Sequence, residues 1–308
     1  MNWADISRDV TVNLIANVIF ASIVVALAVI LGNLARRRKL RDFFHMRAHR
    51  GRLPVYLSNI VVKRRGTIGT GELSVGYHGT AITELEYKYA LEFAATVESK
   101  PFYRALRAID SAVLLTPADP IVCHIGTSPS SKQFGDGSGI GQYIHEGATL
   151  IVGAPVYNAL TDFLMRVIPS RFEFVRREDG ERGIRVRNYR GSDSRTYYRE
   201  RFDGEQSDGQ TRPYLKEWFV LERLVWGRGQ GNYRRESTIF ICAGTCSAAT
   251  AAALRMLRDW PALAREYGPG NFGLLCEIQL DGREEDETRE FPPPDEEPSI
   301  VFRYGERH

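Results

Sequence analysis

The longest apolar run of the chain, VNLIANVIFASIVVALAVILGNL, covers Val12 to Leu34 without a charge and breaks at ARRRKLRDFFHMRAHRGR. A run of that length predicts one helix able to cross the ~30 Å hydrocarbon core of a bilayer. Beyond it, apolar positions come in shorter blocks. Those rich in β-branched residues predict strands at Val55–Val62, Pro120–Gly126, Ala148–Pro155, Ser237–Gly244, Gly270–Leu280 and the final SIVFRY. Helical spacing appears between them. TAITELEYKYALEFAATV places Leu85, Tyr89 and Phe93 on one side, with Thr80 or Thr83 as cap and acids in the first turn. PFYRALRAID, VYNALTDFLMRVI and Thr245–Trp260 follow the same rule, while AVLLT (Ala112–Thr116) suits a helix end or a minor strand. Strands that alternate with helices, several as near-continuous apolar runs, predict an α/β sheet covered on both faces.

The alternation lapses between about 170 and 216, where Arg, Tyr, Gly and Asp dominate and only RFEFVRR and GIRVRNY look like strands. Asp179-Gly180 and Asp203-Gly204 predict hairpin turns, so this stretch is expected as a β-rich excursion from the sheet. Core signals resume in WFVLERLVW (Trp218–Trp226). REEDETREFPPPDEEP, before the last strand, is expected to be a solvated loop.

Charge orients the apolar run. From Leu34 to Arg52 there are eight Lys or Arg against Asp42, whereas the preceding residues carry Arg8 against Asp5 and Asp9. Positive charge stays on the cytoplasmic side, so the N-terminus is expected outside. A cleaved signal peptide needs a basic start and a small-residue cleavage site, but the start is acidic and Arg36-Arg37-Arg38-Lys39 stands where cleavage would fall. The expected division is therefore an extracytoplasmic 1–11, a membrane helix 12–34, a basic juxtamembrane linker 35–52 and a cytosolic domain 53–308. Arg36, Arg37, Arg38 and Lys39 would attract anionic lipid. Asn13, Asn17, Ser22 and Asn33 offer polar contacts for self-association within the bilayer. The net charge of +3 is smaller than the surplus of the basic block, which leaves the domain mildly acidic and argues against nucleic acid as a partner.

Four cysteines (Cys123, Cys242, Cys246, Cys276) form no CxxC pair, and His124 and His145 stand alone, so neither a metal site nor another cofactor is expected. The chemistry that stands out is a repeated pattern: strands that end in small, Gly- or Ser-rich turns leading into helices. Such ends gather around one crevice when the strands are parallel, and their amides suit phosphate. The candidates are Ser58 and Gly79; Gly126, Thr127 and Ser128; Gly153, Ala154, Pro155 and Asn158; and Gly244 and Thr245. Asn158 could cap a helix or read a ligand. Glu84, beside Glu86, is the one weak catalytic candidate, and it equally suits an exposed pair with Lys88. Cys246 at a helix start would have a lowered pKa in principle, but has no adjacent base in sequence.

VYLSNIVV with Gly66–Gly79 and Glu84, ATLIVGAPVYN, and ICAGTCSAATAA resemble the Rossmann-like LOG/Smf (SLOG) nucleotide-binding superfamily and, more loosely, nucleoside 2-deoxyribosyltransferases. The resemblance implies a doubly wound, mostly parallel sheet with a nucleotide-shaped crevice. Joined to a membrane helix, the layout is similar to membrane-anchored effectors of bacterial antiphage defence. It implies a nucleotide sensor at the plasma membrane, possible as a homo-oligomer; the alternative is a tethered enzyme that splits an N-glycosidic bond in a nucleotide. A scaffold without a small ligand is the third reading.

Overall fold

The structure is a computed structural model that describes residues 3–46, 51–63, 66–68, 71–73, 78–81, 83–98, 121–129, 143–144, 147–168, 170–187, 194–205, 211–226, 237–281 and 297–305. The expected helix PFYRALRAID, AVLLT, His145, the loop beyond Pro129 and the acidic Pro-rich segment lie outside them.

Helix α1 spans Trp3–Phe43. Within it, Asn13–Phe43 is long and apolar enough to cross a membrane, and its most apolar window is wholly exposed. The helix does not stop where the apolar run stops. Residues 35–43, expected as part of a linker, continue it, and Leu40, Phe43, Phe44 and Met46 are buried in the domain's main core. The correction has a physical reason. Arg36, Arg38 and Lys39 point outward while Leu40, Phe43 and Phe44 recur at three- and four-residue spacing, so the basic block is one face of an amphipathic turn. α1 ends in a Schellman arrangement, with Met46 N donating to Arg41 O (2.8 Å) and His45 N to Asp42 O (3.2 Å). That puts His45 in the left-handed region (φ 46°), a conformation that costs a non-glycine residue roughly 1–2 kcal/mol. Its ring compensates. The Arg223 guanidinium can only donate, so His45 Nε2 accepts from it (2.9 Å) and Nδ1 carries the hydrogen given to Thr238 Oγ1 (2.7 Å).

The central sheet is mixed. β1 (Arg52–Leu57), β6 (Val122–Thr127), β7 (Gly147–Val152) and β13 (Ser237–Gly244) are parallel, in the spatial order β13-β7-β1-β6. β12 (Thr211–Trp226), β14 (Phe272–Asp281) and β15 (Ser299–Gly305) continue it antiparallel beyond β13, and β11 (Glu200–Glu205) pairs with β12. The α/β class with parallel central strands is as expected. Alternate residues along each strand feed two cores. On one face lie Val55, Leu150, Phe240, Phe219 and Leu274, with α1's end, α2 (Glu84–Val97), α4 (Ser247–Arg258) and α5 (Trp260–Tyr267). On the other lie Ile151, Ile241, Val220 and Leu275, with α3 (Ala159–Val167) and the antiparallel sheet of β8 (Phe172–Arg176), β9 (Arg182–Val186) and β10 (Arg195–Tyr198).

Local differences from expectation are instructive. The strand predicted as Val55–Val62 breaks at Ser58-Asn59, and the Gly-rich stretch after it carries two short ladders: β2 (Ile60–Lys63) with β5 (His78–Ala81), and β3 (Gly66–Ile68) with β4 (Gly71–Leu73). Thr83, not Thr80, caps α2. Asp179-Gly180 is indeed the β8–β9 turn, with Gly180 at φ 93°. Asp203-Gly204 instead lies within β11, where ladder bonds to β12 hold it extended.

A buried carboxylate fastens the excursion to the sheet. Glu222 of β12 accepts from Ser170 Oγ (2.6 Å), Arg171 N (3.2 Å) and the Tyr304 hydroxyl. Burial pushes it up to about 7, against the pull of those three donors.

Two predictions follow from this packing. Phe43→Ala should lower domain stability by about 3–5 kcal/mol, measured as a drop in Tm of the detergent-solubilised chain, while the exposed Leu31→Ala leaves it unchanged; likewise a fragment starting at residue 36 should melt cooperatively and one starting at residue 52 should not. Glu222 holds a proton when folded that the unfolded chain releases above its ordinary 4.5. Its contribution is therefore full below pH 4.5 and lost as pH rises through about 7. The Tm of the parent chain should fall across that window relative to Glu222→Gln; an unchanged difference between the two would contradict the assignment.

Candidate functional site

A crevice of about 670 Å³ opens at the carboxyl ends of β1, β7 and β13. Its position follows from strand order. From β1 the chain passes through α2 to β6 on one side, then returns to β7 on the other, so the loops that leave β1 and β7 diverge and leave a gap. Ser58, Thr83, Glu86, Ala154, Tyr157, Glu217 and Thr245 line it, and the β8–β9 turn overhangs it with Arg176 and Arg182.

Glu86, not Glu84, is the carboxylate here. Glu84 is exposed on α2 and is absent from the described lining. Two residues on, the helix has turned inward, and Glu86 is buried, accepting from Ser58 Oγ (3.0 Å) and Ser58 N (3.3 Å). Thr83 Oγ1 in turn accepts from Glu86 N (3.3 Å), which fixes the first turn of α2.

The second carboxylate comes from the far side of the sheet. β12 overshoots the end of β13, since Phe219 pairs with Gly244 and everything before it overhangs. Glu217 on that overhang is buried, accepts from Thr245 Oγ1 (2.5 Å) and is paired with Arg199 (2.8 Å). Burial pushes Glu217 upward, opposed chiefly by the Arg199 charge and the Thr245 hydroxyl. Arg182 pins the overhanging turn to the floor: its Nη2 donates to the Tyr157 hydroxyl (2.8 Å), and the guanidinium lies 5.3 Å from the Tyr157 ring centre. Arginines and carboxylates thus alternate around the crevice, so it offers both donors for phosphate and acceptors for hydroxyl or amine groups.

Of the residues singled out in the sequence, Ser58, Ala154, Gly244 and Thr245 line this crevice. Gly153 lies just behind it at φ 115°, and an added Cβ would stand 1.9 Å from Ser58 Oγ, so it serves the close approach of β7's end to β1's end. Asn158 is fully buried and committed. Its Nδ2 donates to Val152 O (2.8 Å) and Tyr56 O (3.2 Å), and its Oδ1 accepts from Leu160 N and Thr161 N as the cap of α3. Capping is therefore its role, and no polar atom is left for a ligand. Pro155, Gly126, Thr127 and Ser128 are absent from the described lining. Ser128 is buried beside α3's first turn, Gly126 and Thr127 close β6 at the sheet edge, and Gly79 pairs with Val62 in the β2–β5 ladder. Glu217, Arg182 and Arg199 were not candidates, because only the overshoot of β12 and the folding-back of the excursion bring them here.

Cys246 lines the crevice and caps α4, its Sγ accepting from Ala249 N (3.4 Å). The helix start does not activate it: burial, aided by the Glu217 charge, pushes the thiol up to about 12. The alanines of α4 (Ala248, Ala249, Ala251, Ala252, Ala253) are buried, and Gly244 lets the turn pass where a Cβ would meet Thr250 N at 2.5 Å. Among the described residues no cluster of His, Cys, Asp or Glu could hold a metal ion.

No family model, curated protein or solved structure matches the chain.

Because Cys246 stays a thiol, it should resist alkylation by iodoacetamide at pH 8 in the folded chain and react on denaturation. Mass-spectrometric mapping of the modified cysteine checks this; rapid labelling in the folded state would contradict the raised thiol pKa.

Proposed function

We propose that this chain is a membrane-anchored binding module whose α/β domain takes a nucleotide or nucleotide-derived anion in the crevice and passes occupancy to the membrane helix. The observation that carries the reading is the pairing of Ser58–Glu86 with Arg182 across one hollow at the carboxyl ends of parallel strands. That is the place where a doubly wound, Rossmann-like sheet binds its ligand, and about 670 Å³ lies within the ~300–1,000 Å³ common for small-molecule sites. In this reading a carboxylate such as Glu86 accepts from ribose hydroxyls while Arg182 and Arg176 meet phosphate.

α2 supplies the route to the anchor. Its first turn carries Glu86 in the crevice, and its later turns meet α1: Phe93 packs edge-on against Phe44 (6.0 Å between ring centres), and Arg36 donates to Thr96 O (3.3 Å). A ligand that draws Glu86 from Ser58 would shift a helix whose other end holds the membrane segment. The apolar faces of α1 are covered by lipid in this reading, with the N-terminus outside and the domain in the cytosol. Service in bacterial antiphage defence fits that layout by resemblance of architecture.

The rival reading, cleavage of an N-glycosidic bond, moves from Glu84 to Glu86, the carboxylate that reaches the crevice.

Thermal melting of the detergent-solubilised chain with NAD, nucleoside monophosphates and ribose 5-phosphate should reveal a stabilising ligand. Saturation at about 100 times Kd would stabilise by about 2.7 kcal/mol, and Arg182→Ala and Glu86→Gln should each reduce the shift. Release of free base, abolished by Glu86→Gln, would replace the sensor with the hydrolase. A flat response to all of them would leave the scaffold reading.

A further inference from the structure

A second hollow, of about 910 Å³, lies between α1 and α5 on the other side of the domain from the crevice. We propose that this groove holds the phosphate headgroup of an anionic phospholipid from the leaflet facing the domain. The inference rests on the reading of α1 as membrane-spanning and goes beyond diffuse attraction of the basic block to lipid.

The position argues for lipid first. The lining begins at Gly32, inside the apolar run, and continues through Arg36 and Lys39 to His45. At 1.5 Å per residue, Gly32 to Phe43 is about 16 Å along the helix. The headgroup layer, about 5–8 Å deep on each side of the hydrocarbon, therefore coincides with the membrane-proximal half of the groove. Gly32 and Ala35 contribute no bulk there, which leaves room for an acyl glycerol beside the helix.

Charge argues second. Arg36 and Lys39 from α1 face Arg265 from α5 across the groove, against one carboxylate, Asp42. Arg38, on the same basic block, is not among the described lining residues, so the groove selects part of the block. Arg36 is also steered: its guanidinium lies 6.0 Å from the Trp260 ring centre, and Nη2 donates to Thr96 O. Trp260, which lines the groove, is 2% exposed, and among the described residues its indole N–H has no hydrogen-bond partner.

The test uses the full chain in nanodiscs of phosphatidylcholine alone or mixed with phosphatidylglycerol, with native mass spectrometry of lipid retained after extraction. The parent should retain phosphatidylglycerol selectively. Lys39→Ala and Arg265→Ala should each cut retention about five-fold, Arg265→Lys should restore it, and Arg38→Ala, an equal loss of charge outside the groove, should not reduce it. Equal losses in all three alanine variants, or none in the groove variants, would overturn the site. Displacement of retained lipid by soluble glycerol phosphate would make it a site for a free anion instead. Carbonate-resistant pelleting of the chain with membranes separates the two levels: failure to pellet removes the membrane reading itself, whereas normal pelleting with indifferent lipid retention removes only the groove.

Discussion

The insertion of α1's last turn into the domain core is the contact on which the remaining architecture depends. Phe43 lies 5.4 Å from Phe240 and 6.2 Å from Phe272 between ring centres, and Phe44 lies 4.8 Å from Phe240, so residues of two non-adjacent strands close around one helix end. Beneath them Arg223 is buried, with no carboxylate against it among the described residues. Burial lowers it to about 10, which still leaves it charged at neutral pH. Its charge is met by Gly268 O (2.8 Å), Pro269 O (2.7 Å), the His45 lone pair and the faces of Phe43 and Phe240. Removing the helix end would take away the His45 acceptor and the Phe43 face, leaving the guanidinium the Gly268 and Pro269 carbonyls and the Phe240 face. The strained backbone of His45 is tolerated because the same residue completes the coordination of Arg223. The end of α1 and the sheet thus share one core.

This placement also sets the polarity of the molecule. His45 bonds to Thr238, at the start of β13, and its carbonyl oxygen lies 3.9 Å from where a Cβ on Gly147 would stand, at the start of β7. The crevice lies at the opposite ends of these same strands. Parallel strands therefore separate the end of α1 from the candidate ligand site by the length of the strands, and an element running alongside them can touch both. α2 does, with Glu86 near one end and Phe93 and Thr96 near the other. It packs on the domain through Leu85, Ala90, Phe93, Ala94 and Val97, close to α4, a packed contact of the kind that transmits displacement.

How far the sequence discloses this can be judged from particular residues. The apolar run, the β-branched strands and the β8–β9 turn were legible because each is a local pattern with one dominant period. Ser58, Ala154, Gly244 and Thr245 were legible because βα junctions of parallel strands must converge. Asn158 was ambiguous, since a cap and a ligand contact use the same amide, and only its four partners decide. Glu84 and Glu86 differ by two residues, a phase of about 200° on a helix, and the inward direction is set by where Thr83 starts the helix rather than by composition. The Thr83-x-x-Glu86 spacing is that of a capping box, which would send the carboxylate back to the cap. Instead it goes to Ser58, a long-range contact no local pattern encodes.

Glu217 and Arg182 were illegible for a deeper reason. Arg182 belongs to, and Glu217 directly follows, a stretch whose composition resembles an exposed excursion, where charge serves solubility. The length of β12 changes their meaning. Sixteen residues of strand exceed the eight that β13 can pair, so the surplus must project past the carboxyl edge of the parallel strands. There it recruits β11 and brings Arg199 beside Glu217, while Trp218 Nε1 donates to Tyr198 O (2.7 Å) and ties in β10. The roof over the crevice is therefore a consequence of a mismatch in strand length. A chain with β12 cut to the length of β13 would lose Glu217 and the strand that brings Arg199 beside it, and with them one wall of the crevice, together with Leu215 from one core and Trp218 from the other.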